Sequence, residues 1–409
     1  MRRLAVNVRA GGQEMQITKE VTLLADALAQ QLDCMRLKVS GTSEVQAGDG
    51  STFVIVELSS ALAAIALLGA VAFSRSSDIR SASVLLDGAL LRARAEKHTH
   101  LLQRALAVLE SEWETFSGKL KRKREDATWV FAQHITSQVH GQWARVASYG
   151  AQPPVVEAPF SRETVQAASA PLLLAGIAST WPAVRRWSSP SYLQHVAGHR
   201  LVPIEVGAVH LGKAEGGVNE QQVLRTLSEF IEDVILGGRA ATADGAVPTA
   251  VSSTVPVTSS MTLGYLAQHR LFDQVPMLAK DISHPVVVPP NADCRAWFGP
   301  ANVATPVHFD FHHGLLVQVI GCKRVLLWPP TAGDLLQAPP TDSSLANTSP
   351  LDPLGCLEGS NAAAMCLRAS CVSVVLEPGN ALLIPQGWWH YACSLTVSFS
   401  VSFWWDGPL

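Results

Sequence analysis

The stretch TVSFSVSFW near the C-terminus leaves the chain little choice of local structure. Apolar residues fall at Val397, Phe399, Val401 and Phe403 and serines at Ser398, Ser400 and Ser402. A period of two suits a β-strand and not a helix. Upstream, LLVQVIGCKRVLLWPP reads as two apolar runs about Gly321 and Cys322, and VSVVLEPGNALLIP as two more about Pro378, Gly379 and Asn380. Each carries the turn residues of a β-hairpin. Many short antiparallel strands with turn signals predict a double-sheet barrel of the jelly-roll or cupin kind.

The N-terminal part has a different texture. Val21, Leu24, Ala25, Leu28, Ala29 and Leu32 follow the three-four spacing of an amphipathic helix, and Leu101, Leu102, Ala105, Leu106 and Leu109 repeat it. Residues 59–74 are uncharged and apolar, but the run is shorter than the roughly 20 residues that cross a bilayer, so a buried helix is expected. Gly150 and the prolines at 153, 154 and 159 mark a linker. The expected organisation is α+β: an α-helical domain over 1–147, for packing or partner binding, and a barrel domain over 155–409. Within the second, strands are expected at 171–177 and 200–207 and a helix at 220–236. Residues 237–260 read as a low-complexity insertion.

Charge and cysteine content exclude some roles. The 409 residues carry a formal net charge of −3, which offers no basic field for nucleic acid, so direct nucleic-acid binding is not expected. Seven cysteines without a CxxC pair suggest neither a disulfide framework nor a zinc site and fit a reducing compartment. The opening MRRLAVNVRAGGQEM lacks the apolar core of a secretory signal, and no membrane association is expected. KLKRKRED, 119–126, reads either as a nuclear-localisation cluster or as a solvated helix surface. The expected location is the nucleus, the cytoplasm or both.

TPVHFDFHHG, 305–314, concentrates potential metal ligands. On a strand His308 and Asp310 share a face with Cα atoms roughly 6.6 Å apart, close enough for one ion. His312 would lie roughly 13 Å from His308, too far for adjacent positions on the same ion, and His313 would face the other way. Both are assigned to the rim. A third ligand must come from elsewhere, and His390 in IPQGWWHYA follows an apolar strand that a barrel could return to the same cavity. Two histidines and one carboxylate form the facial triad of non-haem Fe(II) oxygenases. Ordinary polar residues on barrel strands would read the same way.

AWFGPANVATPVHFDFHHGLLVQVIGCKRVLLWPP, followed by IPQGWWHYACSLTVSFSVSFWW, resembles the Jumonji-C (JmjC) hydroxylases. GYLAQHRLFDQVPMLAKDI and LLLAGIASTWPAVRRWS are similar to upstream stretches of the same family, so the resemblance covers about residues 155–409. It implies a double-stranded β-helix barrel that uses Fe(II), 2-oxoglutarate and O2. It implies that His308, Asp310 and His390 are the iron ligands, that Lys323 pairs with the distal carboxylate of 2-oxoglutarate, and that Thr305 and Tyr265 hydrogen-bond it. An ammonium with two hydroxyls is a natural carboxylate clamp. Similar members carry an asparagine four positions after the carboxylate ligand that also helps hold 2-oxoglutarate, where this chain has Gly314. Losing that hydrogen bond is expected to weaken cosubstrate binding about tenfold, unless water, His312 or His313 replaces it.

The resemblance further implies a protein or peptide substrate. Glu205 in VPIEVG and Trp297 in AWFGP match residues that hold a substrate arginine, a pairing that suits a guanidinium through a salt bridge and stacking. The main expectation is therefore a protein-arginyl hydroxylase. The alternatives are a histone methyl-lysine demethylase using the same chemistry, or a weakly catalytic interaction protein.

Overall fold

The computed structural model describes residues 79–92, 150–166, 168–206, 221–236, 264–340 and 346–407, with a few isolated positions between 66 and 106. The amphipathic run at 21–32, most of 59–74, the basic cluster at 119–126 and the insertion at 237–260 lie outside the described residues. The chain divides into two compact units. One comprises residues 1–128 with 197–202 and 273–277, and the other comprises 129–196, 203–272 and 278–409.

In the first unit the helix Ile79–Arg92 buries Ala82, Leu86 and Ala89 at the spacing of one helical face. The fully buried Asp87 on this helix takes both ends of the Arg200 guanidinium, Nε to Oδ2 and Nη2 to Oδ1, each at 2.7 Å. Bidentate geometry lets a buried ion pair recover its desolvation cost.

The described residues form thirteen strands in two sheets. They are β1 (Val155–Val156), β2 (Leu172–Leu174), β3 (Leu201–Val206), β4 (Gln221–Thr226), β5 (Gly264–His269), β6 (Asp293–Gly299), β7 (Ala304–Phe309), β8 (His313–Ile320), β9 (Lys323–Trp328), β10 (Val372–Leu376), β11 (Ala381–Ile384), β12 (Trp389–Ser394) and β13 (Ser398–Trp405). One sheet runs β1-β2-β11-β8-β13-β6-β5-β3-β4 and the other β10-β9-β12-β7. This is the expected double-sheet jelly roll.

The two apolar pairs read as hairpins are instead arches between sheets. β8 pairs with β11 and β13, whereas β9 pairs with β10 and β12. The turn at Gly321 (φ +68°) therefore carries the chain from one sheet to the other, and the turn at Gly379 (φ +91°) carries it back. A Cβ at Gly321 would collide with the Val397 carbonyl, so only glycine fits the corner. The physical cue is burial on both faces: all six residues of β9 are buried, and a strand covered on both sides shows no polar face.

Two further expectations need correction. The segment 220–236 is not one helix, because Gln221–Thr226 is a strand. Thr226 and Glu229 form a capping box that starts the helix only at Leu227, and it continues as a π-helical turn, Ile231–Ile235. At 171–177 the strand spans only Leu172–Leu174 before a turn through Gly176 at φ +75°.

The odd-numbered face of β13 packs outward on an aromatic layer. Phe399 lies 4.5 Å from Trp187 and 4.8 Å from Phe298 between ring centroids, and Phe403 lies 6.4 Å from Trp181. The serine face is buried too and looks into the barrel. There the Gln318 amide donates to Ser398 Oγ and to the Ile320 and Gly321 carbonyls while accepting from Ser400. Trp187 is fixed from its polar edge by Asp281, which is 1 % exposed and also accepts from Tyr192 at 2.6 Å and Arg186 at 2.5 Å. Asp281→Ala is expected to lower stability by about 2–4 kcal/mol, because each orphaned buried donor costs about 1–3 kcal/mol. Urea unfolding followed by tryptophan fluorescence measures it, and an unchanged midpoint would contradict this role.

Candidate metal and cosubstrate centre

His308 and His390 stand directly opposite each other on neighbouring strands β7 and β12, with ring centroids 4.2 Å apart. Asp310 follows the end of β7. Its Oδ1 lies 3.7 Å from His308 Nε2 and its Oδ2 3.8 Å from His390 Nε2. One ligand atom from each residue falls within 4.8 Å of the others, so one ion can engage all three.

The rings are oriented by backbone. His308 Nδ1 meets the Pro306 carbonyl at 2.8 Å and His390 Nδ1 the Trp388 carbonyl at 3.0 Å. A carbonyl can only accept, so each Nδ1 carries the proton and each Nε2 presents a lone pair toward the carboxylate. Burial, and then the neighbouring His390, push the His308 pKa down to about 4, which keeps it in the neutral form that binds metals.

A bulge completes the wall. His390 pairs with His308, but Ala392 pairs with Thr305, so β7 uses one extra residue between them. Strict alternation would send Thr305 to the face opposite His308; the bulge, which contains the N–H-less Pro306, brings both to the cavity. The outer edge of β7 is covered by a short strap. Phe309 N donates to Asn347 O at 3.0 Å, Ser349 N donates to Val307 O at 2.8 Å, and Thr348 bridges to His308.

In the same sheet as the two histidines, Lys323 on β9 is 3 % exposed and donates to the Tyr265 hydroxyl at 3.3 Å. No described carboxylate pairs with it, and burial pushes its pKa down to about 8. A buried ammonium without a counter-ion is a receptor for an anion. Trp297 also lines the cavity, with its indole N–H donating to Ser402 at 2.9 Å. Glu205 is not on the cavity wall; it sits in β3 opposite Tyr265.

His312 and His313 occupy the rim. The exposed His312 meets Asp406 at 2.5 Å, and His313 Nδ1 accepts from Gln386 N at 3.0 Å. Neither is among the residues that line the cavity with Gly314. The space beside Gly314 holds Trp404 instead, whose Cδ1 and Nε1 lie 3.2 Å from where a Cβ would stand. The Trp404 indole donates to Asp310 Oδ2 at 3.1 Å. Sequence reasoning missed this residue, although the serine alternation places position 404 on the inward face with Ser402.

With this geometry in place, the chain matches the Cupin-like domain family over residues 157–409. It is 34% identical over 247 residues to Jumonji C domain-containing protein 5 of Drosophila melanogaster, covering 58% of this chain and 55% of the relative. Lysine-specific demethylase JMJ30 of Arabidopsis thaliana is 38% identical over 240 residues, covering 58% and 50%. Lysine-specific demethylase 8 of Xenopus tropicalis is 35% identical over 243 residues, covering 58% and 48%. The chain belongs to the JmjC family of cupin-fold oxygenases. It spans about half the length of the curated relatives it matches.

JmjC oxygenases use Fe(II) and 2-oxoglutarate, and this cavity fits both. Two Nε2 lone pairs and a carboxylate oxygen suit a divalent first-row metal. The Lys323 ammonium, which no described carboxylate neutralises, lines one cavity with Tyr265 and Thr305, a set that suits a carboxylate.

Proposed function

We propose that this JmjC chain is an Fe(II)- and 2-oxoglutarate-dependent oxygenase acting on a cationic side chain of a protein or peptide, with demethylation of N-methyl-lysine as the leading reading. The observation that carries the chemistry is the His308, Asp310 and His390 cluster in one cavity with the buried Lys323, which no described carboxylate neutralises. Bound Fe(II), with 2-oxoglutarate and O2, supplies the oxidant that hydroxylates a substrate C–H bond as the oxo-acid becomes succinate and CO2. The chain's own residues do the rest. His308 Nε2, His390 Nε2 and Asp310 hold the metal, Lys323, Tyr265 and Thr305 receive the far carboxylate, and Leu316, Ile384 and Ala392 keep the wall apolar against water.

Hydroxylation of an N-methyl group yields formaldehyde and a shortened amine, whereas hydroxylation of an arginine carbon leaves a stable alcohol. Two features support the methyl-lysine reading. Relatives from Arabidopsis and Xenopus are named lysine-specific demethylases. The cavity also carries the tryptophans Trp297 and Trp404, with ring centroids 6.1 Å apart and nearly perpendicular, while its sole carboxylate among the described lining residues is Asp310. Aromatic faces attract methylammonium, while a guanidinium gains most from a carboxylate beside it. Arginyl hydroxylation is the second reading, favoured by Glu205 beside Tyr265. A nuclear or cytoplasmic location and partner binding by residues 1–147 accompany either.

Incubating the full chain with Fe(II), 2-oxoglutarate, O2 and peptides bearing methyl-lysine or arginine separates the readings by mass spectrometry. Loss of one methyl mass from methyl-lysine is the expected result. Gain of one oxygen mass on arginine would replace it with the second reading, and no succinate with any peptide would defeat both.

A further inference from the structure

We propose that Trp404 is a positioning residue for the carboxylate ligand and that residue 314 is glycine to make room for it. The inference rests on the metal reading of His308, Asp310 and His390. The two oxygens of Asp310 are not equivalent. Oδ2 accepts the Trp404 indole N–H at 3.1 Å, whereas no described residue donates a hydrogen bond to Oδ1, which lies 3.7 Å from His308 Nε2. A rigid indole donor fixes the plane of the carboxylate, occupies one oxygen and reserves the lone pairs of the other. A hydrogen-bonded carboxylate held this way offers one oxygen to a metal rather than swinging between one and two.

The indole itself is packed by a neighbouring ring. Trp297 packs edge-on against it at 6.1 Å, and Trp297 is in turn tied to Ser402 at 2.9 Å. Gly314 stands across from Trp404 in the β8–β13 register. A Cβ there would come within 3.2 Å of both Cδ1 and Nε1, so the indole that donates to Asp310 would have to shift by a few tenths of an ångström. Gly314 thus has a reason that no turn or left-handed backbone supplies.

The test titrates the full-length apo-protein with Co(II) and records affinity by calorimetry and coordination by the visible d–d spectrum. Trp404→Phe keeps the ring and removes the donor. Gly314→Ala adds the Cβ alone, and the urea midpoint of the apo-protein separates a folding defect from a displaced indole. Both are expected to weaken Co(II) binding about tenfold, as loss of a partner behind a metal ligand does, and to change the d–d bands, with the far-ultraviolet circular dichroism of the apo-protein unchanged. Wild-type affinity and spectrum in both variants would overturn the inference while leaving the metal site standing. Loss in Trp404→Phe alone would overturn the part assigned to Gly314. Failure of the wild-type chain to bind Co(II) would instead defeat the metal reading, and this inference with it.

Discussion

Full chains carrying His308→Ala or His390→Ala are expected to form no succinate from 2-oxoglutarate above background, against succinate formation by the wild-type chain under the same conditions. The two imidazoles are paired across β7 and β12 and both present Nε2 to the same space, so neither can substitute for the other. Removing a partner behind a metal ligand already costs about 10–100-fold in affinity or activity, and removing a ligand outright is expected to cost at least the upper figure. Peptide-independent succinate formation is the readout, with Co(II) calorimetry beside it to separate lost metal from lost chemistry. Full activity in both variants would refute the assignment of the ligands.

Lys323→Ala is the second large effect. Among the described residues the buried ammonium has a single phenol as hydrogen-bond partner, so on the proposed assignment the far carboxylate of 2-oxoglutarate would meet a preformed charge. Truncating one partner of a buried hydrogen-bonded charge pair costs about 2–5 kcal/mol, which is roughly a 30- to 5,000-fold rise in Kd. Titrating 2-oxoglutarate into Mn(II)-loaded protein measures it, and a Kd within twofold of wild type would place the cosubstrate elsewhere. The pH dependence has a definite sign. Burial pushes the free Lys323 pKa down to about 8, and a bound carboxylate raises it, so affinity is level below that pH and falls as pH rises through it. Lys323→Ala removes this dependence along with the affinity.

The parts of the fold most legible in the sequence were those where a period repeats. Alternation over 397–403 puts Phe399 and Phe403 on one face and Ser398, Ser400 and Ser402 on the other, as the strand is built, and the fold turns the serine face inward. Strand spacing and metal distance separate His308 and Asp310 from His312 and His313 without any partner in view. What alternation cannot express is an irregularity or a long-range pairing. Thr305 reaches the cavity only because β7 bulges, and the register of β12 against β7 is set 82 residues downstream of His308 (390 − 308). A glycine and an apolar run on each side look the same whether the chain turns back within a sheet or crosses to the facing one. Only the full burial of β9 distinguishes them. Gly314 was read as a missing amide because the sequence does not reveal that a tryptophan ninety positions later (404 − 314) stands in its space.

The strap at 347–349 has a consequence for the integrity of the molecule. β7 lies at the end of its sheet, and an uncovered terminal strand is a template on which another chain can build. Bonds from Phe309 to Asn347 and from Ser349 to Val307 occupy that edge from within. They also bracket His308, so a slip of β7 by one residue, which would turn the imidazole out of the cavity, would have to break pairing on both flanks at once. The strap therefore guards against aggregation and against misalignment of the strand that bears the first histidine.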